Sequence, residues 1–309
     1  MTPDVSVDVS VIVPTYNRGP ALRRTLDCLA AQSPAPREII VVDQSDQPDP
    51  TTQQMLGALS AQGIIRLVRQ EIPNAQRARN HAIGEARGEV LLFLDDDVEM
   101  KPDLVGAHWA NYADPEIAAV AGYYLEPSDS PTDVLPPECD HPTTGWLHVP
   151  HSYTKRIASH QFPSCNGSVR RSVARRMGGF DENFRWTLLD DTDFACRLRR
   201  LGVKAVHDPS AALMHLKEPS GGRRPTREAR YIIADRRLWF TWLYFYLMNF
   251  GIRGLPTLGV RFRRSVLRRP LLVRPWYLAG AFAEFVLGAA VAAAAIMRGR
   301  RLATFPTTP

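Results

Sequence analysis

NAQRARNHAIGEARGEVLLFLDDDV, residues 74–98, contains a helix start, a buried strand and three consecutive acids. Asn74 is a favourable helix N-cap, and we expect the helix that follows it to run to about Ala86 and to be stopped by Gly88. Val90–Leu94 is an apolar run typical of a strand buried on both faces. Because Asp95–Asp97 come directly after that run, the stretch predicts a helix, then a strand, then an acidic loop at the carboxyl end of the strand.

The chain before this stretch repeats the same alternation of strand and helix signals. Val9–Val13 and Ile39–Val42 are β-branched runs, and Ile64–Val68 is a weaker strand signal. Helix signals occupy residues 20–32, with Pro20 at a favourable first position. Alternation of this kind implies an α/β domain in which a mostly parallel sheet has helices on both faces.

The chain after this stretch is less regular. Residues 126–163 contain seven Pro and little periodicity, so we predict a long irregular segment, a kind of segment that is often functional. A helix signal runs from Asp190 to Leu201 and stops at Gly202, and Val203–His207 is then typical of a strand.

Charge is distributed unevenly along the chain. The 309 residues carry +6, with a pI of about 9.3, but the ten Arg and one acid of residues 253–309 contribute +9. Residues 1–252 therefore carry −3, which argues against nucleic acid as a partner, because phosphate contacts need a basic binding face. A basic tail with apolar stretches favours an anionic membrane surface.

Apolar residues make up 45% and mean hydropathy is −0.21, which excludes a largely disordered chain and a many-helix membrane protein.

Two apolar stretches flank the Arg-rich part of this tail. Residues 238–252 (LWFTWLYFYLMNFGI) would form a helix of about 22 Å, too short for a hydrocarbon core of about 30 Å. Residues 276–297 would reach about 33 Å but contain Glu284 and many Ala, so a membrane span there is marginal. We expect the tail to lie on the cytoplasmic leaflet as a peripheral segment. A single span and a helical subdomain packed on the rest of the protein are the alternatives.

Three acids at one strand end would repel one another unless a cation compensates them. Ligands of open α/β sheets bind beyond the carboxyl ends of strands, and the carboxylates of Asp95, Asp96 and Asp97 suit Mg²⁺ or Mn²⁺ bridging substrate phosphates. A solvated acidic turn is the alternative. Asp43 ends the second strand and residues 14–17 end the first at the same edge, so together they could form a nucleoside pocket, whereas each alone could be a polar loop.

Three further groups admit both a structural and a chemical interpretation. Arg77 and Asn80 are i,i+3 neighbours on the helix after Asn74, where Arg would neutralise a diphosphate, but a solvated basic face has the same spacing. The acids of residues 190–193 suit the first turn of a helix, and the alternative is that one of them is a general base. His215 is a lone histidine, which is more often structural than a ligand.

Taken in order, these stretches resemble family-2 glycosyltransferases of the GT-A fold, of the bacterial, membrane-associated type. The resemblance covers about the first 215 residues, and the motifs occur in the family's order. It implies a GT-A fold, a Rossmann-like domain that binds nucleotide-diphosphate sugars, followed by a helical, membrane-associated tail. The matching stretches are VSVIVPTYNR (9–18), EIIVVDQSD (38–46), NAQRARNHAIGEARGEVLLFLDDDV (74–98), CNGSVRRSVARRMGGFDENF (165–184), LLDDTDFACRLRRLG (188–202) and His215.

The resemblance also implies a role for each matching residue. Asp97 and His215 would hold Mn²⁺ or Mg²⁺ on the donor diphosphate, and Asp191 would be the general base that deprotonates the acceptor hydroxyl. Asp190 stands where the acidic pair of the family usually has Glu. The nucleotide-sugar-binding residues would be Pro14, Thr15, Tyr16, Asp43, Arg77, Asn80, Asp95 and Asp96, and the acceptor or supporting residues Asp190, Asn166 and Gly167.

The activity that this resemblance implies is metal-dependent, inverting transfer of one sugar from a nucleotide-diphosphate sugar to an acceptor hydroxyl. The acceptor would be a lipid-linked molecule or a glycan of the cell envelope, met at the cytoplasmic face of the membrane. The QxxRW motif of processive synthases is absent, which implies single transfers. A nucleotidyltransferase is an alternative, but it would need a Gly-rich phosphate loop where this chain has PTYNRGP (14–20), and a non-catalytic membrane-surface binding protein is another.

The motifs and the tail together predict two regions. The GT-A domain would occupy residues 1–225, with a nucleotide-sugar-binding half at 1–122 and an acceptor half at 123–225. Residues 226–309 would form the helical, Arg-rich, membrane-associated region.

Overall fold

The computed structural model describes residues 7–135, 140–141, 146–147, 149–185, 188–222, 235–266 and 275–306. Within these residues, nine strands form one sheet and two short strands form a second. The strands are β1 (Val7–Thr15), β2 (Pro36–Asp43), β3 (Arg66–Arg69), β4 (Val90–Leu94), β5 (Val98–Met100), β6 (Ile117–Leu125), β7 (Asp140–His141), β8 (Trp146–Leu147), β9 (Ile157–Ala158), β10 (Asn166–Arg170) and β11 (Lys204–His215). The helices are α1 (Pro20–Ala30), α2 (Pro50–Ala61), α3 (Ala75–Glu85), α4 (Leu104–Ala110), α5 (Arg171–Arg176), α6 (Asp190–Arg200), α7 (Arg236–Phe250), α8 (Leu255–Val266) and α9 (Pro275–Arg298), with 3₁₀ turns at Asn111–Ala113 and Gly251–Gly254.

The strand order of the large sheet is β3-β2-β1-β4-β10-β6-β11-β5, and β9 pairs with β11. β1 pairs in parallel with β2 and β4, β2 with β3, and β6 with β11. β10, β5 and β9 run antiparallel to their neighbours. The mixed sheet with its flanking helices confirms the predicted fold class.

Helix α1 shows how the apolar pattern builds the core. Leu22, Leu26 and Leu29 recur at helical spacing and are buried, and they belong to one hydrophobic cluster with Val11 and Val13 of β1. Burial of this apolar stripe holds α1 against the sheet, since removing apolar surface from water is the main favourable term in packing.

Helix α3, which was predicted within the stretch 74–98, begins at the predicted cap, but Gly88 has a different role from the predicted one. Asn74 caps α3, its Oδ1 accepting from the Arg77 backbone N–H at 3.0 Å. The cap at the other end is Ala86, whose backbone is extended, so the predicted end near Ala86 is confirmed, whereas Gly88 is not the residue that ends the helix. Gly88 instead allows a close approach to β1, because a Cβ there would lie 2.6 Å from the Ser10 backbone nitrogen.

The last strand of the sheet is longer than its sequence signal. Val203–His207 predicts a short strand, whereas β11 continues to His215. At this end β11 pairs antiparallel with β5, and His215 lies opposite Val98. Because Val98 directly follows Asp97, the pairing brings His215 to the acidic loop after β4.

The chain divides into two compact units. The first unit comprises residues 1–180, 194–222 and 302–309 and contains the sheet. The second comprises residues 181–193 and 223–301 and contains α7, α8, α9 and the first turn of α6. The boundary predicted between residues 225 and 226 lies outside the described residues.

Helices α7 and α9 of the second unit approach each other closely. A Cβ at Gly288 of α9 would lie 2.7 Å from the Trp239 Cβ, so glycine is needed where the helices meet. Trp239 is buried, and its ring meets Phe285 edge-on at a centroid distance of 5.3 Å. None of the described helices combines the length and the apolar character needed to cross a lipid bilayer.

Candidate functional site

Asp95, Asp97 and His215 form a compact group in the first unit, at the end of β4. His215 Nε2 lies 3.1 Å from Asp97 Oδ1 and 3.5 Å from Asp95 Oδ2. Asp97 and His215 are buried, while 30% of the Asp95 side chain is exposed. One ligand atom from each side chain lies within 4.8 Å of the other two.

The chemistry of this group fits a divalent cation. Carboxylate oxygens suit Mg²⁺ and Mn²⁺, and an imidazole nitrogen is a common ligand of transition metals. The exposure of Asp95 leaves the group open to solvent on one side. The structure thus brings together Asp97 and His215, the two predicted metal ligands, and adds Asp95, which the resemblance assigned to nucleotide binding.

Arg18 is the buried counter-charge of the acidic loop. Its Nε lies 3.0 Å from Asp96 Oδ1 and its Nη2 lies 3.1 Å from Asp97 Oδ2. Nη1 donates to the carbonyl oxygens of Glu218, at 3.1 Å, and Ser220. Sequence analysis missed Arg18 although it lies in the VSVIVPTYNR motif. Because removal of one partner leaves buried charges uncompensated, Arg18 is required for the stability of this loop.

Asp96 faces the protein interior. Thr15 Oγ1 donates to Asp96 Oδ2 at 2.7 Å, and Arg18 is bonded to the other carboxylate oxygen. Burial raises the pKa of Asp96 to about 6, although the charge of Arg18 and the hydrogen bond from Thr15 both lower it. These contacts assign both the Thr15 and the Asp96 side chains to joining β1 to the acidic loop, and their nucleotide-binding role stays a prediction.

The chain after β11 is bonded to the same loops. The Leu216 backbone N–H donates to the Asp97 carbonyl oxygen at 2.9 Å, and the Glu218 N–H donates to Asp97 Oδ2 at 3.0 Å. Further along, the Gly222 N–H donates to the Tyr16 carbonyl oxygen at 2.9 Å. Asp97 is therefore fixed from both the β1 side and the β11 side.

The ends of β1 and β2 bring the predicted nucleoside residues to one edge of the sheet. Pro14 and Thr15 are the last residues of β1, and Thr15 lies opposite Asp43, the last residue of β2. Tyr16 follows β1, and its hydroxyl donates to Asp46 Oδ2 at 2.8 Å. The juxtaposition expected from the strand ends is present, because parallel neighbours end at the same edge.

Asp43 is buried and extensively hydrogen-bonded. Its Oδ1 accepts from the Ser45 N–H at 2.9 Å, and its Oδ2 accepts from Gln53 Nε2 at 3.0 Å and from Arg69. A base or ribose hydroxyl that approached Asp43 would meet Gln53 and Arg69 at the same oxygen. Gln53 of α2 and Arg69 of β3 are further members of the candidate nucleoside edge, and nothing in the sequence of these two elements indicated them.

The arginine of α3 that approaches the acidic loop is Arg79, whereas the sequence analysis selected Arg77. Arg79 Nη2 lies 3.7 Å from Asp95 Oδ1, and its guanidinium lies 5.3 Å from the centre of the Phe180 ring. Asn80 is buried, donates to the Phe180 carbonyl oxygen at 2.9 Å and accepts from the Phe180 N–H at 2.7 Å. Arg77 is exposed. Arg77 and Asn80 are i,i+3 neighbours on α3, but Arg77 is exposed whereas Asn80 is buried with Arg79, and the nucleotide-binding role of Arg77 and Asn80 stays a prediction.

Asn166 and Gly167 begin β10, within the sheet. Asn166 Nδ2 donates to the carbonyl oxygens of Tyr123 and Ala211 at 2.8 Å each, and its Oδ1 lies 2.9 Å from His108 Nε2. A Cβ at Gly167 would lie 2.5 Å from a backbone carbonyl oxygen. The Asn166 amide joins neighbouring strands and Gly167 permits close packing, contacts that agree with a supporting role, and the acceptor role stays a prediction.

His108 continues this buried hydrogen-bonded chain. Burial lowers its pKa to about 4, so the ring is neutral near pH 7. Because Asn166 Oδ1 only accepts, Nε2 carries the proton and Nδ1 accepts from the Ser168 hydroxyl at 2.9 Å. Tyr112 then donates to Ser168 at 2.7 Å. The chain locks α4 and the turn after it to β10.

Asp190 and Asp191 belong to the second unit, in the first turn of α6. Asp190 is buried and Asp191 is half-buried. Asp193 is fully buried and accepts from Arg300 Nη1 at 2.6 Å and from Asn249 Nδ2 at 2.8 Å. Of the three acids in this turn, Asp193 has a structural role, and the assignment of Asp191 as general base stays a prediction.

Comparison with known proteins decides the family. The sequence model of the family described as "Glycosyl transferase family 2" matches residues 10–182, from within β1 to the loop after α5. The chain belongs to glycosyl transferase family 2. This membership confirms the resemblance that the ordered motifs indicated.

Curated relatives of this family 2 protein match about two thirds of its length. The O-antigen biosynthesis protein RfbC of Myxococcus xanthus is 26% identical over 234 residues, which are 72% of this chain and 18% of that protein. The validoxylamine A glucosyltransferase of Streptomyces hygroscopicus subsp. limoneus is 29% identical over 219 residues, 63% of this chain and 48% of that protein. The chain spans less than half the length of these two relatives.

Solved structures share the fold of this family 2 chain at low sequence identity. S. aureus TarS 1–349 in complex with UDP-GlcNAc aligns with a TM-score of 0.59 at 16% identity, over 91% of this chain and 81% of that one. The mannosyltransferase PcManGT from Pyrobaculum calidifontis, in complex with GDP-Man and Mn²⁺, aligns with a TM-score of 0.51 at 21% identity, over 96% and 80%. The fold is therefore that of the GT-A glycosyltransferases.

Proposed function

We propose that this protein is an inverting glycosyltransferase that uses Mn²⁺ or Mg²⁺ and moves one sugar from a nucleotide-diphosphate sugar to an acceptor hydroxyl. The observation that carries the proposal is the group of Asp95, Asp97 and His215 at the end of β4, in a chain of family 2. Two structural neighbours were solved with nucleotide sugars, and one of these also contains Mn²⁺. They support a donor of the same chemical class.

The charges around the acidic loop suit a diphosphate. Asp95, Asp97 and His215 would hold the cation, which when bound neutralises negative charge on the donor diphosphate. Arg79, 3.7 Å from Asp95, adds a fixed positive charge on the side of α3. Arg18 balances Asp97 from inside the protein, which lowers the repulsion among the carboxylates.

In this proposal Asp191 is the general base. It takes the proton of the acceptor hydroxyl while the hydroxyl oxygen forms a bond to the anomeric carbon. The bond from that carbon to the diphosphate oxygen breaks, and its electron pair leaves with the nucleoside diphosphate. A single displacement of this kind inverts the anomeric carbon. Since the chain lacks a QxxRW motif, we propose transfer of single sugars.

The acceptor in this proposal is a lipid-linked molecule or a glycan of the cell envelope. Names of two relatives support this class, since one is an O-antigen biosynthesis protein and another an O-antigen chain rhamnosyltransferase of Salmonella typhimurium. The second is 25% identical over 211 residues, 67% of this chain and 66% of that protein.

A thermal-shift panel tests the donor and metal assignments. UDP, GDP and TDP are each added with and without Mn²⁺, and with EDTA in excess of the metal. A ligand that binds only the native state at 100 times its Kd stabilises it by about 2.7 kcal/mol, so we expect one nucleotide to raise the Tm with Mn²⁺ and to lose most of that rise with EDTA. The absence of a shift with every nucleotide, on protein that melts cooperatively, contradicts the proposal and favours a non-catalytic membrane-surface protein.

We also propose that the second unit binds the anionic cytoplasmic face of the membrane peripherally. Its exposed apolar side chains include Ile252, Phe282 and Met297, and the sequence of α8 contains three Arg. Sedimentation with phosphatidylglycerol vesicles should exceed sedimentation with phosphatidylcholine vesicles and should decrease as salt is added. Equal binding to both vesicles, or none to either, contradicts a peripheral electrostatic contact.

A further inference from the structure

We propose that Arg300 is a positioning residue that holds residues 181–193, the segment that carries Asp191, in its active conformation. The inference rests on the proposed function, because it concerns the segment of the proposed general base. All residues that carry it belong to the second unit. It gives the carboxyl-terminal part of the chain a role in positioning the proposed base, in addition to the proposed membrane contact.

Arg300 joins both ends of this segment. Its Nη1 lies 2.6 Å from Asp193 Oδ1 and 3.3 Å from Asp181 Oδ2, and both carboxylates are fully buried. Its Nη2 donates to Asn249 Oδ1 at 3.0 Å, and Asn249 Nδ2 in turn donates to Asp193 at 2.8 Å. One guanidinium therefore connects the first and last residues of the segment to the carboxyl-terminal end of α7.

A second set of contacts holds the Asp181 end. The Tyr244 hydroxyl donates to Asp181 Oδ2 at 2.7 Å and accepts from Asn183 Nδ2 at 2.8 Å. The Arg301 backbone N–H donates to Asp181 Oδ1 at 3.1 Å, and the Arg301 carbonyl oxygen accepts from the Glu182 N–H at 3.0 Å. The chain immediately after α9 is thus bonded along the start of the segment.

The segment needs such an anchor because its backbone is strained beside the proposed base. Leu189 has a φ of +62°, a left-handed conformation that is unfavourable for a residue other than glycine. Its carbonyl oxygen accepts from the Asp193 N–H at 2.8 Å, which begins the helix turn that contains Asp191. Strained backbone persists where the surrounding contacts over-determine it, and Asp193 is the residue that Arg300 binds.

The charges of Asp181 and Asp193 explain why a cation lies at this position. Burial lowers the pKa of Arg300, but Asp193 and Asp181 outweigh burial and raise it, so the guanidinium stays charged. Two buried carboxylates without this cation would repel each other and would draw water or protons into the unit. Arg300 lies two residues beyond the end of α9, and α9 packs closely against α7, the helix of Tyr244, at Gly288.

The test compares Arg300→Gln and Arg300→Lys with the matched control Arg236→Gln. Arg236 also links α7 to α9, through Glu284 at 3.1 Å, but it makes no contact with residues 181–193 among the described atoms. Arg300→Gln should lower kcat by about 10²-fold, the scale expected when a reacting group is misplaced, while the nucleotide thermal shift with Mn²⁺ is retained. Arg300→Lys should recover part of kcat, because it restores the charge but not the contacts of Nη2.

Hydrogen exchange supplies a readout that does not depend on activity. Peptides that cover residues 181–193 should exchange faster in Arg300→Gln than in wild type and should be unchanged in Arg236→Gln. If Arg300→Gln does not fold, Tyr244→Phe replaces it in the test. This variant removes only the hydroxyl bonded to Asp181 and Asn183, and it should show a smaller loss of kcat and a smaller increase in exchange of residues 181–193.

The outcomes separate this inference from the proposed function. Unchanged exchange in residues 181–193, or an equal loss of kcat in Arg300→Gln and Arg236→Gln, overturns the positioning role. Loss of the nucleotide shift in Arg300→Gln also overturns it, since the defect would then not be confined to the second unit. A wild-type protein without sugar transfer contradicts the proposed function alone, and the exchange comparison then still decides whether Arg300 holds the segment.

Discussion

The Asp97→Asn variant should lose at least about 10³-fold of its metal-dependent sugar transfer, equivalent to about 4 kcal/mol of transition-state stabilisation. Asp97 Oδ1 lies 3.1 Å from His215 Nε2 in the candidate metal group, and the change replaces an ionic ligand with a neutral amide of the same shape. Initial rates measured over a Mn²⁺ titration check this result. The Mn²⁺ concentration that gives half the maximal rate should rise together with the loss of kcat.

The matched control is Asp27→Asn, the same chemical change on an exposed carboxylate of α1 that pairs with Arg23 at 2.8 Å. Asp97 also accepts from Arg18 and from the Glu218 N–H, so melting curves of both variants must accompany the rates. Transfer by folded Asp97→Asn within about threefold of wild type, with an unchanged Mn²⁺ titration, would exclude Asp97 as a metal ligand.

The Asp191→Asn variant should lower kcat by about 10²- to 10⁴-fold, the range that a general base contributes. Asn keeps the size of the side chain but takes no proton from the acceptor hydroxyl. The thermal shift with nucleotide and Mn²⁺ should be unchanged, because the candidate donor residues lie in the first unit and Asp191 lies in the second. Steady-state rates with saturating donor, together with the nucleotide shift, check both parts.

Asp190→Asn is the matched neighbour for this experiment. Asp190 is buried in the same turn, where the family's acidic pair usually has Glu, and we expect its replacement to cost less kcat than that of Asp191. A greater loss of kcat in Asp190→Asn than in Asp191→Asn would instead identify Asp190 as the general base. Rates near wild type in both variants would remove this turn from the chemistry.

Much of the site was predictable because strand ends are local features. An apolar run followed by three acids placed a carboxylate cluster at the end of β4, and the structure has it there. Asp43 at the end of β2 lies opposite Thr15 at the end of β1, as the strand-end argument required. These predictions depended on short stretches whose pattern is visible without knowing any partner.

Predictions that required a side chain to choose a partner were less successful. The spacing of α3 favoured Arg77, but the helix turns Arg79 toward Asp95, because burial against the sheet determines the rotation of the helix. Arg18 is part of the VSVIVPTYNR motif, but nothing in the motif indicated that its guanidinium forms ion pairs with Asp96 and Asp97.

Local sequence patterns were enough to indicate the family, the alternation of strands and helices, the cap at Asn74 and the acidic loop after β4. These features depend on residues within a few positions of one another, where periodicity and capping chemistry act. His215 lies beside Asp97, 118 residues away, as the family resemblance implied, but no pattern in the sequence indicated that Arg300 binds Asp193, 107 residues away. A buried charge needs a partner of opposite charge, and that partner can lie far away in the sequence, so local patterns do not identify it.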